Sequence, residues 1–523
     1  MSEPIPTKID RFDGGIVNDP RDPREATARM ITNFDVLTNP GKMTPYRDAE
    51  SGDDSGSTSK KQNFCIAKRT GTTYSLYALG VKSGDTVAEV LYKNLTTGAA
   101  TDLDDNAWAA PAANQSASGA TNFGLFIYYE FVNRIYGLRA GRYIWKFDPS
   151  GGAWADSEVD LFNYRDVPNP ITEENIVGVV HSKDDILYVG FGANVIKNNN
   201  TVWTSPAPSE IELPRKYLIT SMCEYGDFLA IACAPASGVE NSRIYLWDRD
   251  SSVTTLAASI DAGEGIIKIL EEVDGNLIAI SLSGANGGTK AIRFNDRVIF
   301  RQLVGSEMVK FKEILGTTGT ILRNRKQKID NRLCFLMSIT LNGAVHEGVW
   351  SVGRSSPGSS YTLVHERTPN NDTALTSATL DGFIALGDYL FQAYSSSSTF
   401  AVTKTNDSSS YAATAIYESK IFDAGFPQAY KDLIDVTVTH EYLPTAGQVV
   451  LRYRIDQETS WTTIFTNTTN NSISHSANNI ESTGAALPKY YKEIQFRVES
   501  TGGAEISSIS FREDVTGVKY NTA

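Results

Sequence analysis

The chain has 523 residues, of which 41% are hydrophobic, and a formal net charge of −13 from 61 acidic and 48 basic side chains. This balance is ordinary for a soluble protein, and it disfavours conventional nucleic-acid binding, which needs basic patches to neutralise phosphates. The acidity is compatible either with simple solubility or with an acidic pore along which DNA slides without sticking. The densest basic cluster is short, at residues 323–326.

No stretch approaches the roughly 18 continuous apolar residues of a membrane span, so we expect no membrane insertion. The first residues lack the basic and apolar regions of a signal peptide. Residues 1–50 are predicted to form an extended arm with a short helix rather than a domain. Asp22 suits an N-cap and Pro23 suits the first helical turn, which places the helix over about residues 23–33.

A weak repeat runs through residues 51–415. In each unit an Asn or Asp ends a turn, an Ile or Leu follows two residues later, and an alternating strand begins. These positions are Asn133, Asp185, Asp227, Asn276, Asn331 and Asp388. A period of roughly 40–50 residues built from short strands is typical of a β-propeller. Six clear units and one doubtful unit predict six or seven blades.

Residues 416–523 form a separate block of alternating strands. Residues 434–439 and 449–454 show the clearest alternation of apolar and polar side chains. About 100 residues with five or more such strands predict a β-sandwich. The predicted fold is therefore all-β, with an extended N-terminal arm, a six- or seven-bladed β-propeller and a C-terminal β-sandwich.

The chemistry-bearing residues are sparse. The four cysteines and five histidines show no metal-ligand spacing, and no phosphate-binding fingerprint or nucleophile elbow occurs. Cys223 and Cys233 are expected on adjacent strands of one blade, as buried free thiols. Acidic loops at residues 102–106 and 248–250 could offer oxygen ligands to calcium, but neither has a complete EF-hand pattern. We therefore predict no metal, no cofactor and no catalytic residue.

Paired carboxylates in the central channel are the catalytic groups of propeller glycosidases. Several acidic residues lie at the ends of the predicted strands and are candidates for such a pair. They are Asp184, Asp185, Glu224, Glu271, Glu272 and Asp274. Asp184, Asp185 and Asp274 flank turns. A carboxylate at such a position is solvated, so its presence there does not require a catalytic role.

The N-terminal arm carries motifs that resemble a known family. The motifs are Phe12-x-Gly14-Gly15-Ile16, Asp19-Pro20, Asn33-Phe34-Asp35 and Pro40-Gly41-x-Met43-x-Pro45-Tyr46-Arg47. Together they are similar to the opening of podovirus tail nozzle proteins, the tail tubular protein B family. The chain is shorter than typical nozzles.

The resemblance implies a structural component of a bacteriophage virion, made in the host cytoplasm and located in the tail. It implies a homo-oligomeric ring, commonly a hexamer, that continues the DNA channel and lets viral DNA pass transiently. Other phage tail, neck or portal-adaptor proteins would be its partners. Because glycines permit close approach, the arm could reach a neighbouring subunit. The predicted subunit-contact residues are Phe12, Gly14, Gly15, Ile16, Pro23, Asn33, Phe34 and Asp35.

Two alternatives stand beside this structural, non-enzymatic prediction. The first is a phage receptor-binding or carbohydrate-binding protein, in which Trp461, Tyr490 and Tyr491 stack on sugars unless they pack inside the sandwich. The second is a propeller glycoside hydrolase, which needs a channel-facing cluster of carboxylates that the sequence does not reveal.

Overall fold

The computed structural model places the chain in two compact units. The sandwich unit comprises residues 1–49, 348–372 and 405–523, and the propeller unit comprises residues 50–347 and 373–404. The structure describes residues 4–17, 21, 27–39, 41–47, 49–50, 59–71, 73–82, 87–94, 117–118, 125–139, 142–164, 176–199, 202–203, 210–235, 241–250, 256, 258–283, 297–315, 320–341, 344–368, 379–386, 389–396, 399–405, 411, 414–478 and 487–516.

Nearly all of the regular structure is β-strand. In the described residues two short 3-10 helices, Glu130–Val132 and Leu161–Asn163, interrupt the strands. Within the described ranges, no helix is long and apolar enough to cross a membrane. The strands that precede the propeller are β1 (Ile5–Ile9), β2 (Ala28–Thr32), β3 (Phe34–Asp35), β4 (Thr44–Pro45) and β5 (Ala49–Glu50).

The propeller unit begins with three sheets of four or five strands. Sheet 1 contains β6 (Ser59–Thr70), β7 (Thr73–Lys82), β8 (Val87–Asn94) and β9 (Ala117–Ser118). Sheet 2 contains β10 (Phe126–Tyr129), β11 (Arg134–Arg139), β12 (Tyr143–Phe147) and β13 (Trp154–Asp160). Sheet 3 contains β14 (Ile176–His181), β15 (Ile186–Phe191), β16 (Asn194–Asn199), β17 (Val202–Trp203) and β18 (Ile211–Glu212).

Four further sheets continue the unit. Sheet 4 contains β19 (Tyr217–Tyr225), β20 (Phe228–Pro235), β21 (Ser242–Trp247) and β22 (Ala258–Gly263). Sheet 5 contains β23 (Ile266–Val273), β24 (Asn276–Ser283), β25 (Arg297–Val304) and β26 (Glu307–Leu315). Within this unit sheet 6 contains β27 (Thr320–Ile329) and β28 (Arg332–Leu341), and sheet 7 contains β31 (Thr379–Leu386), β32 (Tyr389–Ser396) and β33 (Thr399–Thr405).

The first strands of successive sheets contact one another in order. The series is β6, β10, β14, β19, β23, β27 and β31, and β31 contacts β6 in turn. A ring of sheets that closes on its first member is the arrangement of a β-propeller. The predicted all-β propeller is thus confirmed, with seven sheets in the described residues.

Tight turns explain the repeat that the sequence displays. Asp274 and Gly275 join β23 to β24 with φ of 49° and 75°, and Asp330 and Asn331 join β27 to β28 with φ of 46° and 62°. Two-residue hairpins of this kind need positive φ at both central positions, which favours Asn, Asp and Gly. In the described sheets the repeated Asn or Asp therefore lies in or next to the hairpin between the first two strands, while Asp388 lies outside the described residues.

Apolar side chains hold neighbouring sheets together. One cluster joins Leu187 and Phe191 of sheet 3 to Leu125 and Tyr136 beside and within sheet 2, and equivalent clusters lie between sheets 3 and 4 and between sheets 4 and 5. The Tyr188 ring of sheet 3 packs edge-on against the buried Trp247 of sheet 4, with ring centroids 5.7 Å apart. Burying such large rings is a main source of stability for the ring of sheets.

The cysteines occupy this apolar interior as predicted. All four are buried free thiols, with Cys223 on β19 and Cys233 on the adjacent β20. Burial raises the pKa of the Cys223 and Cys233 thiols well above the ordinary value, so neither is a reactive thiolate at neutral pH.

The sandwich unit contains two packed sheets. The remaining strands are β29 (Ala344–Gly353), β30 (Thr362–Arg367), β34 (Ala415–Phe422), β35 (Tyr430–His440), β36 (Gln448–Ile455), β37 (Thr462–Asn467), β38 (Ser474–Asn478), β39 (Ile494–Thr501) and β40 (Ile506–Thr516). One sheet has the order β1-β40-β35-β38, and the other includes β30-β2-β34-β39-β36-β37. Phe511 of the first sheet packs against Phe422 and Phe496 of the second at 5.1 and 4.7 Å between ring centroids. This confirms the predicted β-sandwich.

The N-terminal segment is part of this sandwich. β1 pairs with β40, and β2 lies between β30 and β34. The predicted helix over residues 23–33 is wrong for residues 28–32, which form β2, while residues 22–26 lie outside the described part. The physical reason is tertiary: Ile31 pairs with Tyr417 across the antiparallel β2–β34 ladder, and two sheet neighbours outweigh a local capping signal. Residues 1–49 and 348–372 join residues 405–523, unlike the predicted domain boundaries.

Candidate active site

The acidic residues singled out in the sequence lie near the hairpin turns, where they join neighbouring sheets. Asp184 Oδ2 accepts a hydrogen bond from Arg249 Nε at 2.8 Å and one from the Tyr188 hydroxyl at 2.9 Å. Glu224 Oε2, at the end of β19, accepts the main-chain N–H of Ser182 from sheet 3 at 3.1 Å. These contacts tie sheet 3 to sheet 4.

The same arrangement recurs around the ring. Glu272 of sheet 5 accepts the N–H of Gly226 from sheet 4 at 3.4 Å, and Glu271 pairs with Lys326 of sheet 6 at 3.0 Å. Between sheets 6 and 7, the Gln327 side chain both accepts from the N–H and donates to the carbonyl of Ala385, at 2.7 and 3.0 Å. We call these contacts the turn-edge ties.

The remaining carboxylates from the sequence have structural roles. Asp185 and Asp274 are turn residues with φ of 51° and 49°. No group of three or more possible His, Cys, Asp or Glu metal ligands occurs in the parts of the chain that the structure describes. Asp248 accepts the N–H of Asp250 at 3.1 Å within its own loop, and the acidic loop at 102–106 lies outside the described residues.

A different set of polar residues lies inside the first strands of sheets 4 to 7. Thr220, Lys268 and Asp381 are each the extra residue of a β-bulge, in β19, β23 and β31. Each is followed by five residues to the end of its strand, so the three bulges occupy equivalent positions. Bulges re-aim a side chain and are enriched beside active sites.

All three bulge residues are buried, and Lys268 lies between two isoleucines. Arg325 is also buried, and it belongs to β27, the first strand of sheet 6. It is the last residue of the register shift between Ile321 and Lys326 in that strand. Its Nε donates to the main-chain carbonyl of Asp381 at 3.0 Å. A charged side chain is costly to bury, so a run of such residues on consecutive strands indicates a polar site.

Glu347 brings a second carboxylate to this position. It lies in β29 and is half-buried, and its Oε1 accepts the N–H of Leu380, the residue before Asp381, at 2.7 Å. Burial raises the pKa of the Glu347 carboxyl, and the negative charge of Asp381 raises it further, against the lowering effect of the Leu380 hydrogen bond. When two neighbouring carboxyl groups lie in different environments, their pKa values differ. One of them can then act as an acid and the other as a base.

The adjacent His346 adds no positive charge at neutral pH. Burial lowers the pKa of its imidazole to about 4, while a hydrogen bond with the main chain of Leu341 opposes that shift. A cationic imidazole near Glu347 would lower the pKa of its carboxyl group, whereas a neutral imidazole does not. We refer to Glu347 and Asp381, with Arg325 behind them, as the carboxylate site.

The sequence analysis missed this site. Lys268 stands between Ile267 and Ile269, and Asp381 stands between Leu380 and the Gly382-Phe383 pair. A single charged residue inside an otherwise apolar strand was a usable signal for both. Glu347 carried no comparable signal, because its nearness to Asp381 depends on a contact between strands of different sheets.

The described members of the predicted subunit-contact set lie inside the sandwich unit. Phe12, Ile16, Asn33 and Phe34 are buried, and the Phe12 ring packs edge-on against Tyr417 at 5.3 Å. An added Cβ at Gly15, whose φ is 69°, would lie 2.8 Å from Thr362, and Gly14 precedes it in the same turn. Asp35 accepts the N–H groups of Leu37 and Thr38, and Pro23 lies outside the described residues. Their role as a subunit contact stays a prediction.

The three candidate glycan-contact residues differ in exposure. Tyr491 is fully buried, so it cannot stack on a sugar, and its hydroxyl donates to Glu513 Oε1 at 2.8 Å. Trp461 is partly buried under Arg454, whose Cζ lies 4.4 Å from the ring centroid. Tyr490 is exposed over 71% of its surface.

No family model and no curated protein matches the chain. Among solved structures, the exo-β-1,3-galactanase of Phanerochaete chrysosporium is 9% identical with a TM-score of 0.27, over 90% of this chain and 100% of the enzyme. The endo-arabinase of Bacteroides thetaiotaomicron is 13% identical with a TM-score of 0.26, over 44% of this chain and 93% of that chain. The Trypanosoma rangeli sialidase complex with DANA is 10% identical with a TM-score of 0.29, over 96% of both chains.

These three similar structures are enzymes, and none of them is a phage tail protein. The prediction of a virion structural component and the prediction that the chain is not an enzyme find no support among these structures, and both predictions are set aside. The resemblance of the N-terminal motifs to nozzle proteins, the oligomeric ring with its partners and the virion location stay predictions. Since similarity at this level assigns no role to any residue, function is argued from the side chains.

Proposed function

We propose that the chain is a glycoside hydrolase that uses Glu347 as general acid and Asp381 as the second carboxylate. The observation that carries the proposal is the hydrogen bond from Leu380 N–H to Glu347 Oε1, which holds one carboxyl beside the bulge that bears the other. A pair of carboxyl groups flanking the bond is the usual requirement for cleaving a glycosidic linkage.

The proton chemistry follows from the two environments. Cleavage needs a proton on the leaving oxygen, and the raised pKa of Glu347 keeps its carboxyl protonated at a higher pH than an exposed glutamic acid. Asp381 supplies negative charge to the oxocarbenium-like transition state, as the nucleophile or as the base for a water molecule. In this structure the Glu347 side chain is half-buried and the Asp381 side chain is buried.

Arg325 acts as a positioning residue in this proposal. Its Nε bonds the carbonyl of Asp381 and so fixes the main chain of the bulge that aims the Asp381 carboxylate. A planar guanidinium holds such geometry better than an ammonium group does, because its donors form a rigid fork.

The test is hydrolysis of a panel of aryl glycosides and polysaccharides by the purified chain and four variants. Asp381→Asn and Glu347→Gln should lower kcat by roughly 10²- to 10⁴-fold, the size of a lost acid or base. Glu224→Gln and Asp184→Asn are the matched controls, because these carboxylates belong to the turn-edge ties, and they should retain activity.

Thermal unfolding of every variant separates lost chemistry from lost structure. Absence of hydrolysis across the whole panel by the folded wild-type chain would contradict the proposal. Retention of wild-type kcat by Asp381→Asn would contradict it equally.

A further inference from the structure

A pair of exposed tyrosines lies at one edge of the sandwich unit. Lys431 and Tyr491 form an antiparallel bridge and both are buried. Their neighbours, Tyr430 and Tyr490, are exposed over 50% and 71% of their surfaces. Because side chains alternate across paired strands, the residues flanking the buried pair lie on its outer side.

Polar groups accompany the two rings. The Nζ atom of Lys492 lies 5.3 Å from the centroid of the Tyr430 ring, and Asp432 Oδ1 accepts the N–H of Tyr490 at 2.8 Å. The outer side therefore presents two aromatic faces, one ammonium and one carboxylate. We call Tyr430, Asp432, Tyr490 and Lys492 the tyrosine platform.

The main chain beneath the platform is strained and firmly held. Tyr490 has φ of 57°, a left-handed conformation that bulky residues rarely adopt. It persists because its neighbours are fixed: Lys431 Nζ donates to the carbonyls of Phe426, Ala429 and Lys492 at 2.8, 3.0 and 2.7 Å. Buried groups that hold an exposed strained residue preorganise it, and strain of this kind clusters at binding sites.

A second anchor lies directly under Tyr490. The hydroxyl of the buried Tyr491 donates to the buried Glu513, and Asp456 Oδ1 accepts the N–H of Lys492 at 2.8 Å. The main chain that carries the platform is thus held by hydrogen bonds on both of its strands.

We propose that the tyrosine platform is a glycan-binding site, separate from the carboxylate site. Tyrosine offers large rigid contact area at a low entropy cost, and its apolar face with polar edge matches the carbon-bound hydrogens and hydroxyls of a pyranose. Asp432 and Lys492 supply an acceptor and donors for hydroxyl groups next to those faces. The site does not depend on hydrolysis at the carboxylate site.

The experiment measures binding of soluble neutral hexasaccharides of glucose, galactose, mannose, xylose and N-acetylglucosamine to the full chain. Saturation-transfer NMR identifies which of them bind, and calorimetry gives their Kd. A Glu347→Gln background removes the proposed catalytic acid, so that turnover does not consume the probe and failure of either proposal can be told from failure of the other.

Tyr430→Ala and Tyr490→Gly should each weaken binding at least tenfold. Glycine is chosen at position 490 because it adopts a positive φ without strain. Tyr442→Ala is the matched control, since Tyr442 is 70% exposed in the same unit and lies outside the platform, and it should leave Kd unchanged.

Three results would overturn the proposal. The first is no binding of any hexasaccharide by the folded wild-type chain, and the second is an unchanged Kd in both platform variants. The third is a platform substitution that abolishes self-association in analytical ultracentrifugation without affecting sugar binding, which would make a second copy of the chain the occupant.

Discussion

Oε1 of Glu347 accepts the main-chain N–H of Leu380 at 2.7 Å, which holds the carboxyl group next to Asp381 although the two acids come from strands β29 and β31. The carboxylate site therefore depends on a contact between two strands of different sheets rather than on sequence proximity. Its two members also differ in burial, and this difference allows their roles to be tested separately.

Leaving-group dependence should distinguish the two carboxyl groups. With a dinitrophenyl glycoside the leaving group needs no proton, so Glu347→Gln should lose much less activity than it loses with an alkyl or methylumbelliferyl glycoside. Asp381→Asn should lose activity with both. Steady-state kcat measured on the two substrate types checks this, and equal losses for Glu347→Gln would exclude its role as the acid.

Removal of a turn-edge tie should loosen the first strand of sheet 7. Gln327→Glu keeps an acceptor for the N–H of Ala385 but replaces the donor to its carbonyl, so we expect a loss of about 1–3 kcal/mol in the free energy of unfolding. Hydrogen exchange at residues 379–386 should accelerate. Lys183→Ala removes an exposed ion pair with Asp227 and should leave the free energy of unfolding close to that of the wild type. Unchanged exchange in Gln327→Glu would disprove the tie.

Tyr491→Phe should destabilise the sandwich. The substitution removes the donor to the buried Glu513, and leaving a buried acceptor less satisfied costs about 1–3 kcal/mol. Chemical denaturation measures the loss, with the exposed Tyr442→Phe expected within about 0.5 kcal/mol of wild type. An equal effect of the two substitutions would mean that the Tyr491 hydroxyl contributes nothing.

His346 should make stability fall in mildly acidic solution. Its pKa is about 4 in the folded chain against an ordinary value of 6.5, mainly because of burial. The unfolded chain therefore binds the proton first, and stability present above pH 6.5 is lost as the pH falls towards 4, by up to roughly 3 kcal/mol.

His346→Gln is the reference for that measurement, because glutamine does not titrate. The difference in unfolding free energy between wild type and His346→Gln should favour wild type less at pH 4.5 than at pH 7. A difference that is constant with pH would show that His346 titrates normally.

The hairpin repeat was predictable because it depends on local geometry. Asp274-Gly275 and Asp330-Asn331 must adopt positive φ, and few residue types do so at low cost. The alternation of β35 was readable for a similar reason, since the residues of one face of this strand are buried.

Long-range pairing was not predictable from the sequence. The Asp22-Pro23 signal favoured a helix, but β2 gains hydrogen bonds from β30 and β34, whose residues lie more than 300 positions away. The bulges at Lys268 and Asp381 depend on register with a neighbouring strand, which the residues alone do not display. The different exposure of two glycan-contact candidates also depends on long-range pairing. Tyr490 and Tyr491 are adjacent in sequence, but Tyr491, which forms the bridge with Lys431, is buried and Tyr490 is exposed.

The insertion of β2 between β30 and β34 has a consequence for synthesis on the ribosome. β34 begins at Ala415, so at 5–20 residues per second β2 waits roughly 20 to 80 s for its second neighbour to be translated. During that interval its apolar residues and unpaired main chain are open to incorrect strand pairing. The sheets encoded between the two strands can form first, and the sandwich is then completed last, after residues 494–516 leave the ribosome.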